Sequence, residues 1–295
     1  TDRTIEIARG FAGVRIVQLA NPQERGCGAG AQLAFQVARG RYFYLLDGDM
    51  ELQPDFIGRA LDFLTAHPDH AGVGGLVREA ETSGIEFQLR DRTKRERAAR
   101  RDSTGPVRQV DRLDCGGLYR CDAVQATGYY ADCNLHSFEE FDLAARLASR
   151  GWKLSRIEVH AVDHFGHTAG GFKLMWRRLR TGYAGGAGEV VRAAFGRPHF
   201  ALVVRHFVQL RFALVVIGWW LGLALAIGWG AWPVFAGLGA APFVLLSFRR
   251  GSLRLGAYTV AVWNYQAIGL IAGLLRSRRS PTQPLAMREI GPLAE

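Results

Sequence analysis

Two carboxylates separated by one small residue, Asp47-Gly48-Asp49, follow the apolar run Tyr42-Phe43-Tyr44-Leu45-Leu46. Such a pair can converge on a divalent cation at the end of a strand, although a solvent-facing acidic turn has the same composition. Placement favours the cation, because ligands of open α/β sheets gather beyond the carboxyl ends of strands, where phosphates need their charge offset. A second acidic set, Glu139-Glu140-Phe141-Asp142, opens a helical pattern carried by Leu143, Ala144, Leu147 and Ala148. It reads either as acids favouring a helix N-terminus or as the source of a general base whose pKa a closed cleft would raise. Residue type alone does not choose between Glu139, Glu140 and Asp142. His160, Asp163, His164 and His167 form a third set. Their spacing does not specify a zinc site; the histidines are either structural or supply one metal ligand, for which His164 is the choice.

The elements that must carry these residues alternate. A helix is expected near residues 3–10, then a strand at 14–19, a helix at 28–39 and a strand at 42–46 whose continuous apolar character suits the interior of a mainly parallel sheet. Another helix should run from Pro54 towards Ala66, on the spacing of Phe56, Ala60, Leu61 and Leu64, and a strand should follow at 71–77. Arg90 to Arg101 is strongly basic and too poor in apolar residues for a core. It is a solvated segment or a docking surface for phosphate groups. Trp152 reads as packing.

Composition divides the chain in two. Of 295 residues, 37 are Lys or Arg and 27 Asp or Glu; 30 of those bases and 25 of those acids lie before residue 212. Phe212 to Phe248 and Leu255 to Leu275 contain no charged residue and no His. Both exceed the roughly 18 residues that suggest a spanning helix. The first stretch, 37 residues long, fits two closely joined spans turning near Pro233 and Gly237, with Arg249, Arg250 and Arg254 returning to the cytoplasmic side. A third span would put Arg276, Arg278 and Arg279 outside, against the positive-inside tendency, so Leu255 to Leu275 is a third span, re-entrant or interfacial. Residues 171–211 mix glycines, cations and apolar positions as an interfacial segment does. The net charge of +10 is therefore assigned to membrane lipids and phosphate-bearing substrates. No nucleic-acid partner is expected, since the cations lack an interleaved aromatic platform. Four cysteines, at 27, 115, 121 and 133, have neither zinc-site nor disulfide spacing and read as reduced.

Taken in order, Asn21-Pro22, Gly28-Ala29-Gly30-Ala31, Ala38-Arg39-Gly40, Tyr42 to Asp49, Gly74-Gly75, Gly116-Gly117-Leu118-Tyr119-Arg120, Gly128-Tyr129 and Phe138 to Leu147 resemble the inverting glycosyltransferase family 2, of GT-A fold. The resemblance covers about residues 1–160. It implies an α/β domain with a GT-A-like mainly parallel mixed sheet flanked by helices, followed by interfacial and transmembrane helices. Thr1-Asp2 is similar to the end of that family's DDGSTD segment, which implies that the opening strand and base-binding loop precede Thr1. The resemblance also implies Asn21, Asp47 and Asp49 as donor-binding residues. Asp47 would lie near the ribose and diphosphate, and Asp49 would hold Mg²⁺ or Mn²⁺ with Asp47 and His164. Glu140 stands where the family commonly has an Asp that deprotonates the acceptor.

The implied reaction is single-displacement transfer of one sugar from a nucleotide-sugar donor. Phe172-Lys173-Leu174-Met175-Trp176-Arg177-Arg178 lacks the QxxRW pattern of processive synthases. The acceptor implied is a lipid-linked glycan or a polyisoprenyl phosphate, at the cytoplasmic face of a bacterial inner membrane. The expected division is a catalytic domain at 1–170, an interfacial segment at 171–211, a membrane region at 212–275 and a basic tail at 276–295. Competing readings are a polyisoprenyl-phosphate sugar synthase and a non-catalytic membrane scaffold.

Overall fold

The computed structural model describes residues 3–80, 105–165 and 170–291. Thr1-Asp2, the basic run Arg90 to Arg101, and His167 lie outside the described residues. The front half begins with α1 (Thr4–Arg9), β1 (Ile16–Leu19), a 3-10 turn (Pro22–Glu24) and α2 (Cys27–Val37). Next come β2 (Tyr42–Leu45), β3 (Met50–Leu52), α3 (Pro54–Ala66) and β4 (His70–Glu79). After these come β5 (Val107–Val110), β6 (Gly117–Arg120), α4 (Cys121–Gln125), α5 (Glu139–Ala148) and β7 (Lys153–His164).

The central sheet runs in the order β2-β6-β4-β7-β3, with β5 on the first half of β7. It is mixed. β4 and β7 pair in parallel, whereas β2 with β6, β6 with β4, and β3 and β5 with β7 are antiparallel. The share of parallel pairing is thus smaller than the apolar run of β2 suggested. β2 lies at the end of the described order and is half-buried, its apolar character serving aromatic packing: Phe43 stacks on Tyr119 and meets Phe35 and Tyr130 edge-on. Because β6 is inserted antiparallel, β2, β4 and β7 still run in one direction, and their carboxyl ends lie at one edge.

Helix α3 covers one face of the sheet through Phe56, Ala60, Phe63 and Leu64, packed on Val73, Leu118, Ile157 and Val162. Helix α5 covers the other through Leu143, Ala144 and Leu147, with Tyr119, Tyr130 and Leu154. Trp152 joins that second core. The opposite side of α5 is apolar too. Phe141 and Ala145 pack into a further core built from the helices that follow.

Those helices are α6 (Gly171–Arg180), a 3-10 turn (Tyr183–Gly185), α7 (Gly186–Ala194), α8 (Phe200–His206), α9 (Val208–Gly228), α10 (Trp232–Arg250) and α11 (Leu253–Leu275). The last three are long and apolar enough to cross a membrane. Val190 of α7, Val203 of α8, Phe207, Val216 of α9 and Leu270 of α11 share the core with Phe141, and Phe207 stacks on Phe141 at 4.6 Å. Complete burial of a side chain such as Phe207 contributes roughly 2–3 kcal/mol. The front domain and the apolar helices are therefore joined through the helix that carries the second acidic set. The chain then returns, and β8 (Met287–Ile290) pairs antiparallel with β1.

Candidate active site

Asp47 and Asp49 occupy the tight connection from β2 to β3, closed by a hydrogen bond from Met50 N–H to the Asp47 carbonyl at 3.1 Å. The register then does the positioning. β3 pairs with β7 so that Met50 opposes His164, and β4 pairs with β7 so that Glu79 opposes His164. Phe165 N–H donates to the Asp49 carbonyl at 2.8 Å, which ties the acidic turn to the end of β7. As a result His164 Nε2 lies 3.6 Å from Asp49 Oδ2, and its other ring nitrogen, Nδ1, lies 2.7 Å from Glu79 Oε2. A carboxylate on the far ring nitrogen is the arrangement that fixes the tautomer and raises the basicity of a metal-binding imidazole.

Burial pushes the Asp47 carboxyl up from its ordinary value, the Asp49 charge adds to this, and His164 opposes it. A concentration of negative charge in a partly desolvated turn is relieved by a cation. Carboxylate oxygens beside one oriented imidazole suit Mg²⁺ or Mn²⁺, with imidazole more natural for Mn²⁺. Among the described residues no group of three His, Cys, Asp or Glu side chains is assembled as a complete metal cage. Asp49 and His164, with Asp47 two residues before Asp49, are the side chains here that could hold such a cation.

The second acidic set resolves in part. Asp142 is fully buried and ion-paired with Arg146 Nε at 2.8 Å, and Arg146 also donates to Thr127 Oγ1 and to the carbonyls of Tyr129 and Tyr130. Asp142 is therefore committed to structure. Glu139 and Glu140 open α5 and are half-buried, with no such cation paired to them among the described residues. Burial pushes Glu139 up to about 7, with a further contribution from Asp47. Burial followed by the neighbouring Glu139 raises Glu140 well above the carboxylate range, with smaller contributions from Asp114 and Asp47. Asp47 thus contributes to the elevation of both carboxyls. Cys27, the first residue of α2, feels the same three carboxylates, and its thiol is pushed up to about 12 by burial and by Glu139, Glu140 and Asp47.

Among the described residues two other than glycine take left-handed backbone conformations, Cys115 at φ 60° and Phe138 at φ 67°; Phe138 immediately precedes Glu139. Each costs about 1–2 kcal/mol, strain that clusters where backbone is held for function. Gly116 follows Cys115 at φ 87°, and a Cβ there would lie 2.8 Å from the Tyr44 hydroxyl. Glycine is needed at that position on both counts.

The remaining sequence candidates fall elsewhere. Asn21 caps the 3-10 turn, its side chain accepting from Gln23 N–H at 3.0 Å and donating to Glu24 at 3.5 Å, bonds that stay within the turn. His160 binds Asp163 at 2.9 Å, and Asp163 is further held by Arg78 and Gln53, so this pair is structural. All four cysteines are free. Reading the sequence missed Glu79. Its signal lay in the strand containing Gly74-Gly75, which extends two residues beyond the expected end at Val77, but partnership with His164 depends on register.

Residues 1–128 match the family model described as Glycosyl transferase family 2. No curated protein matches the chain. Among solved structures, S. aureus TarS 1-349 in complex with UDP-GlcNAc is similar at 12% identity, with a TM-score of 0.44, over 93% of this chain and 77% of that one. GalNAc-T7 with UDP, GalNAc and Mn2+ is similar at 11% identity and a TM-score of 0.38, over 56% and 38% of the two chains. A mycobacterial protein is similar at 13% identity and a TM-score of 0.37, over 59% of this chain; the match spans about half, 51%, of that protein's length.

Proposed function

We propose that this protein transfers one sugar from a nucleotide-sugar donor to an acceptor hydroxyl, with inversion and with the help of Mg²⁺ or Mn²⁺, at the cytoplasmic face of a bacterial inner membrane. The observation that carries the reading is the approach of His164 to Asp49, 3.6 Å apart at the sheet edge in the turn that also holds Asp47, together with the raised carboxyls Glu139 and Glu140, to whose elevation Asp47 contributes. Asp49 and His164 would hold the cation, which when bound offsets the charge that develops on a departing nucleoside diphosphate. Asp47 stands beside them for the ribose and diphosphate. Glu79 keeps His164 in the tautomer whose Nε2 lone pair faces Asp49.

Glu140 is the proposed base. Its pair with Glu139 holds a proton at neutral pH, because two adjacent half-buried carboxyls cannot both ionise without mutual cost. Once ionised, Glu140 takes the acceptor hydroxyl proton as that oxygen attacks the anomeric carbon from the face opposite the leaving diphosphate. One displacement inverts the anomeric centre. Its elevated basicity favours a hydroxyl acceptor over a polyisoprenyl phosphate, which is already anionic and gives no proton to a base. The acceptor is therefore proposed to be a lipid-linked glycan, reached from the membrane by the apolar helices.

The test is a pair of variants in the full chain. Asp49→Ala is expected to abolish divalent-dependent donor binding, whereas Glu140→Gln should bind donor and lose transfer by at least 100-fold, the low end of a general base's contribution of about 10²–10⁴. Full activity in both variants would falsify the assignment.

A further inference from the structure

Among the described residues three helices qualify as membrane spans by length and composition, but the third is held at both ends by the segment that precedes α9. At its beginning, the Tyr258 ring meets Phe172 of α6 edge-on at 5.1 Å. Along its second half the backbones nearly touch. A Cβ added at Gly269 would fall 2.1 Å from the Ala184 carbonyl, and one at Gly273 would fall 1.9 Å from that of Gly185. Immediately after its last turn, Arg276 pairs with the buried Glu189 of α7, a carboxylate that also holds the His136 ring and its backbone N–H.

The chain beyond α11 stays on that side. Arg278 pairs with the fully buried Asp132 and Arg279 with Glu24. Asn134 and Arg279 exchange two hydrogen bonds, at 2.9 and 3.0 Å, and Gln36 does the same with the Leu285 backbone at 2.8 and 3.1 Å. β8 then completes a ladder with β1. None of these contacts can be made across roughly 30 Å of hydrocarbon.

Crossing number follows from parity. An odd number of crossings between Val208 and Leu275 would separate Arg276–Arg279 from Glu189, Asp132 and Glu24, so the number is even, and with the chain attached to the membrane it is two. Helix α9 is the most apolar of them, leaving α10 or α11 to bring the chain back. The contact of Tyr258 with Phe172 places the start of α11 beside α6, which precedes α9 in the chain and lies on the side from which α9 sets out, so α10 has returned.

We propose that the surface presented to the bilayer is an α9–α10 hairpin that crosses twice, while α11 lies in the interface as a shelf between the catalytic domain and the lipid. The inference rests on the proposed membrane attachment. The hairpin exposes Leu214, Val215, Leu221 and Leu225 on α9 and Val244 and Leu245 on α10, side chains that only hydrocarbon satisfies as a set. Helix α11 instead carries Asn264, which accepts from Trp220 Nε1 at 2.8 Å, and Gln266. The arrangement puts Arg249, Arg250, Arg254, Arg276, Arg278 and Arg279 on one side, meeting the positive-inside tendency that a third crossing would break. α6 continues the shelf, with Lys173, Trp176, Arg177 and Arg180 exposed at helical spacing for headgroups.

The test maps sidedness in the full chain, reconstituted in sealed phosphatidylethanolamine–phosphatidylglycerol vesicles. Single reporters Asp62→Cys, Trp229→Cys, Arg254→Cys and Gln283→Cys occupy exposed positions, and the peptides carrying a membrane-impermeant maleimide are identified by mass. Trp232→Cys and Thr282→Cys serve as second reporters of the hairpin tip and the tail should a first variant fail to fold. Expected is labelling of positions 62, 254 and 283 together from one side, with 229 protected until detergent is added. Labelling of 283 with 229, against 62 and 254, means three crossings and overturns the proposal. Labelling of 254 with 229, against 62 and 283, means that α11 is the returning span and overturns it equally. Labelling of all four from one side, with release of the protein by alkaline wash, overturns the membrane attachment itself and the shelf with it.

Discussion

Glu139 and Glu140 begin the same helix, and Glu139 carries its proton up to about 7 instead of the ordinary 4.5. At about 1.4 kcal/mol per unit, that displacement corresponds to roughly 3 kcal/mol against ionising Glu139 in the folded protein. The sign for stability follows directly. Unfolded chains release this proton near 4.5 and folded chains near 7, so stability present at and below the lower value is lost as pH rises through the upper one. Glu139→Gln removes that loss and also removes the second-largest cause of the elevation at Glu140, leaving burial in place. The variant is expected to be more stable than the parent above neutral pH, by on the order of 1–3 kcal/mol. Its acidic limb of kcat/KM should move towards lower pH while staying above an ordinary Glu, because burial of Glu140 remains. The assays are thermal unfolding in lipid nanodiscs and initial rates across the neutral range. A parent limb at the ordinary carboxylate value, with stability rising through the same window, refutes the reasoning.

Glu79→Gln should weaken divalent-dependent donor binding about 10–100-fold by releasing His164 from its orienting carboxylate, read by titrating Mn²⁺ against donor binding; an unchanged midpoint removes His164 from the metal set. Arg146→Ala leaves Asp142 buried without its cation and is expected to cost about 3–5 kcal/mol in unfolding measurements. A change below about 1 kcal/mol, the level of an exposed pair, would remove Asp142 from its structural role and return it to the candidates for the base.

What the sequence makes legible is what local pattern dictates. Tyr42–Leu45 has only one plausible state as an apolar run before an acidic turn, and α3 follows from the spacing of Phe56, Ala60 and Leu64. The acidic turn and the opening of α5 were readable for the same reason: both sit where a periodic segment begins or ends. Register is not local, so Glu79 was invisible as the partner of His164, and nothing in Glu139-Glu140-Phe141-Asp142 marks Asp142 as the one that Arg146 holds four residues later in the interior. The tail shows the same limit more strongly. Arg276, Arg278 and Arg279 look like a solvated basic run, and only folding reveals that Glu189, Asp132 and Glu24, far apart in sequence, wait for them.

The central claim is the transfer itself, and the product tests it most directly. The full chain in lipid, offered a panel of nucleotide sugars with lipid-linked acceptors in Mn²⁺ or Mg²⁺, should give one acceptor whose mass rises by a single sugar and whose new linkage has the anomeric configuration opposite to the donor's. A product of retained configuration, or donor binding with no acceptor modified across the panel, contradicts the account.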